Sequence, residues 1–154
     1  MVGFSFHELM EGTLLCTGER FDRPFRFELD VRFPDATRVA TSAVGLTEGT
    51  VRIDGIAKDR RAKGTLVLSP FARRRVRYEL SFVADDGTPM RFEGEKTIGG
   101  RTFTRGWTHL PGEVRTESGK VIGVATLRFS LRDQLAVLLG SVRLARAALV
   151  SGAG

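Results

Sequence analysis

Between Pro24 and Pro34 the chain alternates without a fault: Phe25, Phe27, Leu29, Val31 and Phe33 are apolar, and Arg26, Glu28, Asp30 and Arg32 are charged. Successive side chains of an extended strand point to opposite sides, so this pattern predicts one buried and one solvated face. Val76, Tyr78, Leu80 and Phe82 repeat it against Arg75, Arg77, Glu79 and Ser81. Met90 and Phe92 then resume the inward set opposite Arg91 and Glu93. The intervening Ala84-Asp85-Asp86-Gly87-Thr88-Pro89 carries Asp-Gly turn chemistry, which makes the two strands a hairpin.

Weaker patterns predict further strands at residues 4–15 (broken or bulged at Gly12), 50–56, 64–68, 102–110 and 121–131. Gly99-Gly100 offers a tight connection, and Pro111, Gly112 and Glu117-Ser118-Gly119 separate the last two strands. The last strand would turn Gly123, Ala125, Leu127 and Phe129 inward. Residues 35–44 read as a short helix or irregular chain, with a weak strand as the alternative. About eight strands at hairpin spacing predict an all-β fold, an antiparallel lipocalin-like barrel, with a sandwich as the alternative. Ser130 and Asp133 fit a helix-capping pattern. Leu135, Leu138, Leu139, Val142, Ala145 and Leu149 then recur at helical spacing, giving one C-terminal amphipathic helix over about 133–150. Its apolar side would pack on the barrel or meet a partner in a homodimer. The whole chain, 1–154, reads as a single domain.

Composition refines this picture without changing it. An apolar fraction of 42% and a charged fraction of 27% are those of a folded globular chain. One cysteine, Cys16, excludes an internal disulfide and reads as a small buried hydrophobe. No Cys/His spacing suits a metal. Residues 1–10 lack a basic segment and a long apolar run, and Arg143 and Arg146 interrupt the last apolar stretch. The expectation is a cytoplasmic protein with no transmembrane segment. The net charge of +6 is concentrated in Lys58, Arg60, Arg61 and Lys63, and in Arg73, Arg74, Arg75 and Arg77. These read as solvated hairpin ends, the alternative being an anion-facing surface for nucleic acid or lipid headgroups. No recognition helix or RNA-binding signature accompanies them, so no sequence-specific nucleic acid is expected.

Phe6-His7-Glu8-Leu9-Met10-Glu11-Gly12 resembles the opening of a barrel-like accessory domain found with bacterial cholesterol-oxidase-like members of the glucose–methanol–choline oxidoreductases. The resemblance continues through residues 64–68, 75–82, 86–96 and 123–129, then Asp133-Gln134-Leu135. It implies an accessory or stand-alone domain of lipid or sterol metabolism, with an oxidoreductase as a partner and no transferable catalytic residue. The chain has no GxGxxG opening a β-α-β unit, so the flavin chemistry of such enzymes is not here, and no cofactor is expected.

No catalytic constellation is present: His7 and His109 are the only histidines, and neither has metal-ligand spacing. Strand parity suggests another kind of site. Phe103, Arg105, Trp107 and His109 share one face, and the face of Met90 and Phe92 also carries Gly94 and Lys96. Were both faces interior, Lys96, Arg105 and His109 would enter the barrel beside Trp107, with Glu8 as the nearest carboxylate by register. Buried cations need partners, so the set would suit an anionic amphiphile held in the barrel mouth. Alternatively Arg105 and His109 reach solvent at strand ends while Trp107 plugs the barrel. Three functions follow: a binding module for a hydrophobic small molecule, a small barrel isomerase or cyclase using Glu8, Lys96, Tyr78 or His109, or a docking domain. The binding module is the reading adopted.

Overall fold

The computed structural model describes residues 4–34, 43–69, 75–97 and 108–129. They form eight strands: β1 (Phe4–Cys16), β2 (Arg23–Phe33), β3 (Ala43–Ile53), β4 (Ala57–Ser69), β5 (Arg75–Val83), β6 (Pro89–Thr97), β7 (Thr108–Thr116) and β8 (Val121–Phe129). Each pairs antiparallel with its neighbour in sequence, and β8 returns to β1, closing a barrel with no free edge between first and last strand. The all-β barrel expected from the alternation is the observed fold.

The inward residues of β2 are buried at every second position, as are those of β5. Phe27, Leu29, Val31, Tyr78, Leu80, Phe82, Phe92 and Leu127 belong to one core. Such alternation fixes register, because a one-residue slip would bury the charged set. The turns β1–β2, β3–β4, β5–β6 and β7–β8 lie at one end. At the β5–β6 turn Gly87 adopts φ +90°, where a side chain would be strained, and its amide donates to Ala84 O at 2.9 Å. Asp86 caps the same turn by accepting from the Thr88 amide at 2.9 Å. Towards this end the lumen is filled by rings: Phe25 meets Phe92 edge-on at 5.6 Å, and Phe27 lies 4.9 Å from Phe25 and 5.2 Å from Phe92. Aromatic contacts of this geometry add about 0.5–1.5 kcal/mol each beyond area burial.

Several boundaries differ from those expected. β1 runs unbroken through Gly12; a Cβ there would sit 1.9 Å from the Thr126 carbonyl oxygen, so the glycine permits a close strand crossing. β3 starts at Ala43 and β4 at Ala57, both well before residues 50 and 64. Between them a bulge sets one extra residue on β4: Val51 faces Arg60, whereas Ile53 faces Ala57. Asp59, at φ +50°, takes up the difference. Because of it Ala57 and Ala62 are both buried although one number is odd and the other even. Lys58, Arg60, Arg61 and Lys63 are β4 residues, the first of them two positions past the β3–β4 turn.

Of the strand expected at 102–110, residues 108–110 open β7, which continues through Pro111 and Gly112 to Thr116, while 102–107 lie outside the described residues. The β6–β7 pairing ends at Gly94 opposite Gly112, so exposed Pro111 lies just past it, where a missing amide hydrogen costs the ladder least. The C-terminal helix at 133–150, the Gly99-Gly100 connection and most of 35–44 lie outside the described residues. Among the described residues no helix is long and apolar enough to cross a membrane.

Candidate functional site

Two polar side chains are drawn into the barrel by strand parity alone. Glu8 stands on β1 opposite Leu29, between inward Phe6 and Met10, and is 1% exposed. Tyr78 stands on β5 opposite Gly94 and is fully buried. In a ring of eight strands β1 and β5 are diametrically placed, and the Tyr78 hydroxyl donates to Glu8 Oε2 across the lumen. Burial pushes the phenol pKa well above its ordinary value, and the neighbouring Glu8 adds to the rise, so Tyr78 stays protonated and remains a donor. A third inward polar residue, Thr47 on β3, is 4% exposed, and its hydroxyl has no hydrogen-bond partner among the described residues.

All three lie in the half of the barrel away from the aromatic plug. Glu8 is the fifth of 13 residues in β1, Thr47 the fifth of 11 in β3 and Tyr78 the fourth of 9 in β5, just before the middle of each strand. The end where those strands start holds Phe33, Ala43, Ser69, Arg75, Thr97 and Thr108. Glycines let rings pack close against the wall there: a Cβ on Gly94 would meet the Phe92 ring at 2.8 Å, and one on Gly45 the Phe33 ring at 2.8 Å. Among the described residues the lumen is thus packed with rings toward the turn end and carries its buried polar side chains just beyond them.

The residues expected to form a site fare differently. Glu8 is interior, as its parity required. Phe92 is buried and lies over Gly94, the cross-strand neighbour of Tyr78, so it forms the floor beneath the polar pair. Met90 is buried two residues further into the plugged end. Lys96 is on β6 opposite Val76; its side chain, Arg105 and Trp107 lie outside the described residues. His109 corrects the expected parity: it is exposed opposite Arg128, and it is Leu110 that points inward. Sequence reasoning took Tyr78 chiefly as core and did not single out Thr47. The available signal was the hydroxyl itself, since a buried tyrosine needs a partner for its O–H.

Outside, the barrel carries charge on strand after strand, the reverse of the apolar band that faces lipid in membrane barrels. Much of it is paired: Arg61 with Glu48 at 2.9 Å, Arg75 with Glu95 at 2.9 Å and Arg77 with Glu79 at 2.6 Å. The basic clusters are to this extent offset by carboxylates beside them. His7 projects outward between Asp30, at 2.9 Å, and Glu28, at 3.1 Å, whose hydrogen bonds raise its pKa. Burial pushes the Cys16 thiol up, as suits a packing residue. Among the described residues no His, Cys, Asp and Glu group could hold a metal ion.

Comparison with known proteins finds no matching family model, no matching curated protein and no matching solved structure.

Proposed function

We propose that this barrel is a non-catalytic binding module that holds an apolar or amphiphilic small molecule in the half of its lumen opposite the aromatic plug. The observation that carries the reading is the Tyr78–Glu8 hydrogen bond, which with Thr47 interrupts a core that is apolar elsewhere among the described residues. Drawing a carboxylate and a phenol hydroxyl into a core costs desolvation that apolar residues of similar volume would avoid, which favours a role beyond packing. A few convergent polar groups in an apolar concavity are the usual design of a small-molecule site.

Native mass spectrometry of the purified chain should show a co-purifying apolar molecule, and a lipophilic fluorescent probe should bind at one saturable site. Substituting Leu for Thr47, which fills the polar half of the lumen, should weaken the probe while Leu9→Ala on the outer wall leaves it unchanged. Absence of any bound molecule together with equal probe binding by both variants would refute the reading.

A carboxylate facing a protonated phenol is also an acid–base pair, which supports a small isomerase or cyclase as the second reading. Recovery of the bound molecule chemically unchanged after long incubation favours binding, and its conversion favours the enzyme.

A further inference from the structure

We infer that the outer wall carries a second site, one that holds a phosphate monoester bearing a tethered ammonium group. It is a cleft of about 420 Å³ on β1, β2 and β3, independent of the lumen. Glu11 and Gly12 of β1, Pro24 and Arg26 of β2, and Arg52 and Asp54 at and just past the end of β3 line it. Arg26 and Arg52 are direct cross-strand partners, and both are exposed. Like charges so placed destabilise a sheet, and the neighbours of these two do little to offset them. Arg26 reaches Glu28 at 3.3 Å, a carboxylate that His7 also engages, and Arg52 comes no nearer to Asp59 than 3.9 Å. Arg61, Arg75 and Arg77 on the same wall hold their carboxylates at 2.9, 2.9 and 2.6 Å. A guanidinium carries five N–H donors in a planar fork, so the pair keeps most of its donors for an acceptor in the cleft.

The carboxylates of the cleft decide which anion fits. Glu11 stands opposite Arg26, and Asp54 follows Arg52 by two positions. Neither side chain has a hydrogen bond or ion pair among the described residues. A bare polyanion would meet both as like charges. A ligand with its anion between the arginines and its cation against a carboxylate meets opposite charge on every side. Adjacent strands lie about 4.8 Å apart, and a two-carbon tether between phosphate and ammonium covers that step from Arg26 to Glu11. Phosphate suits the arginines better than a carboxylate does. A monoester presents three acceptor oxygens and a charge of about −1.5 to −2 at neutral pH to two cationic forks.

Calorimetric titration of the full chain at low salt with O-phosphoethanolamine, inorganic phosphate and ethanolamine tests the site. Phosphoethanolamine should bind about tenfold more tightly than phosphate, and ethanolamine should give no measurable heat. Arg52→Gln should weaken phosphoethanolamine about tenfold. It should not lower the melting temperature, since it also ends the like-charge pairing. Glu11→Gln should weaken phosphoethanolamine and tighten inorganic phosphate, a reversal that a disturbed fold would not produce. No heat with phosphoethanolamine at millimolar concentration, or unchanged binding by a folded Arg52→Gln chain, overturns the site. Phosphate binding as tightly as phosphoethanolamine, with neither altered by Glu11→Gln, overturns the tethered ammonium group.

Discussion

At the scale of single residues, what matters is which face of a strand a side chain occupies. Leu80 is fully buried and Glu79, its neighbour, lies half-buried on the outer wall. Leu80→Ala should lower unfolding free energy by about 2–5 kcal/mol through lost transfer energy and a cavity. Glu79→Ala should change it by less than about 0.5 kcal/mol. Urea denaturation of the two variants checks the pair, and equal losses would contradict the register. Tyr78→Phe removes the donor that Glu8 accepts from, so it should cost about 1–3 kcal/mol despite the near-identical volume.

His7 gives a pH dependence of definite sign. Its hydrogen bonds to Asp30 and Glu28 raise its pKa above that of the unfolded chain. The stabilisation is therefore complete below the unfolded value, about 6.5, and disappears as pH rises through the folded value. The melting temperature of the parent should exceed that of His7→Gln at pH 5.5, by a small margin because the site is exposed, and the two should converge at pH 8.5. A gap that widens at the higher pH would show that the histidine acts there in some other way.

At the scale of elements, β2, β5 and the start of β6 were legible because their inward residues are large and apolar and most of the outward ones charged or polar. β3 was not, because its early inward positions are Gly45 and Thr47, which carry no hydrophobic signal. β4 was obscured by the bulge at Asp59, which shifts parity midway through a run of basic residues. At β7, Pro111 and Gly112 suggested a break, but the strand passes through both, with Gly112 the last residue paired to β6 and Pro111 just beyond it. The site was half legible: parity placed Glu8 inside, but joining it to Tyr78 required knowing that β1 and β5 oppose each other across a closed ring.

Glycines within strands carry their own prediction at this scale. A Cβ on Gly64 would lie 1.8 Å from the Glu79 carbonyl oxygen, so the β4–β5 backbone must move to admit it. Gly64→Ala should destabilise by about 1–3 kcal/mol, and Thr65→Ala, one residue on, should do much less, as thermal melts of both variants would show.

At the scale of the whole molecule, arginine sets the net charge but the outer wall pairs much of it locally, so charge alone says little about a partner. Binding to nucleic acid should be weak, indifferent to sequence and abolished by moderate salt. Filter binding with two unrelated duplexes at low and physiological salt checks this; retention of only one of them at physiological salt would contradict it.

The closure of the ring also dictates an order of events when the chain is made. β1 pairs with β2 as soon as the second strand exists, but the other edge of β1, at Glu11–Cys16, waits for Gly123–Arg128. For nearly the whole of synthesis the growing protein is an open, curling sheet whose first strand keeps one flank of unpaired amides and carbonyls, with Leu15 beside them on the outer face. Such a flank is a template for a second nascent chain. A ribosome stalled before β8 emerges should therefore hold a species that recruits chaperones or aggregates, and release of the last strand should convert it in one step to a protected barrel.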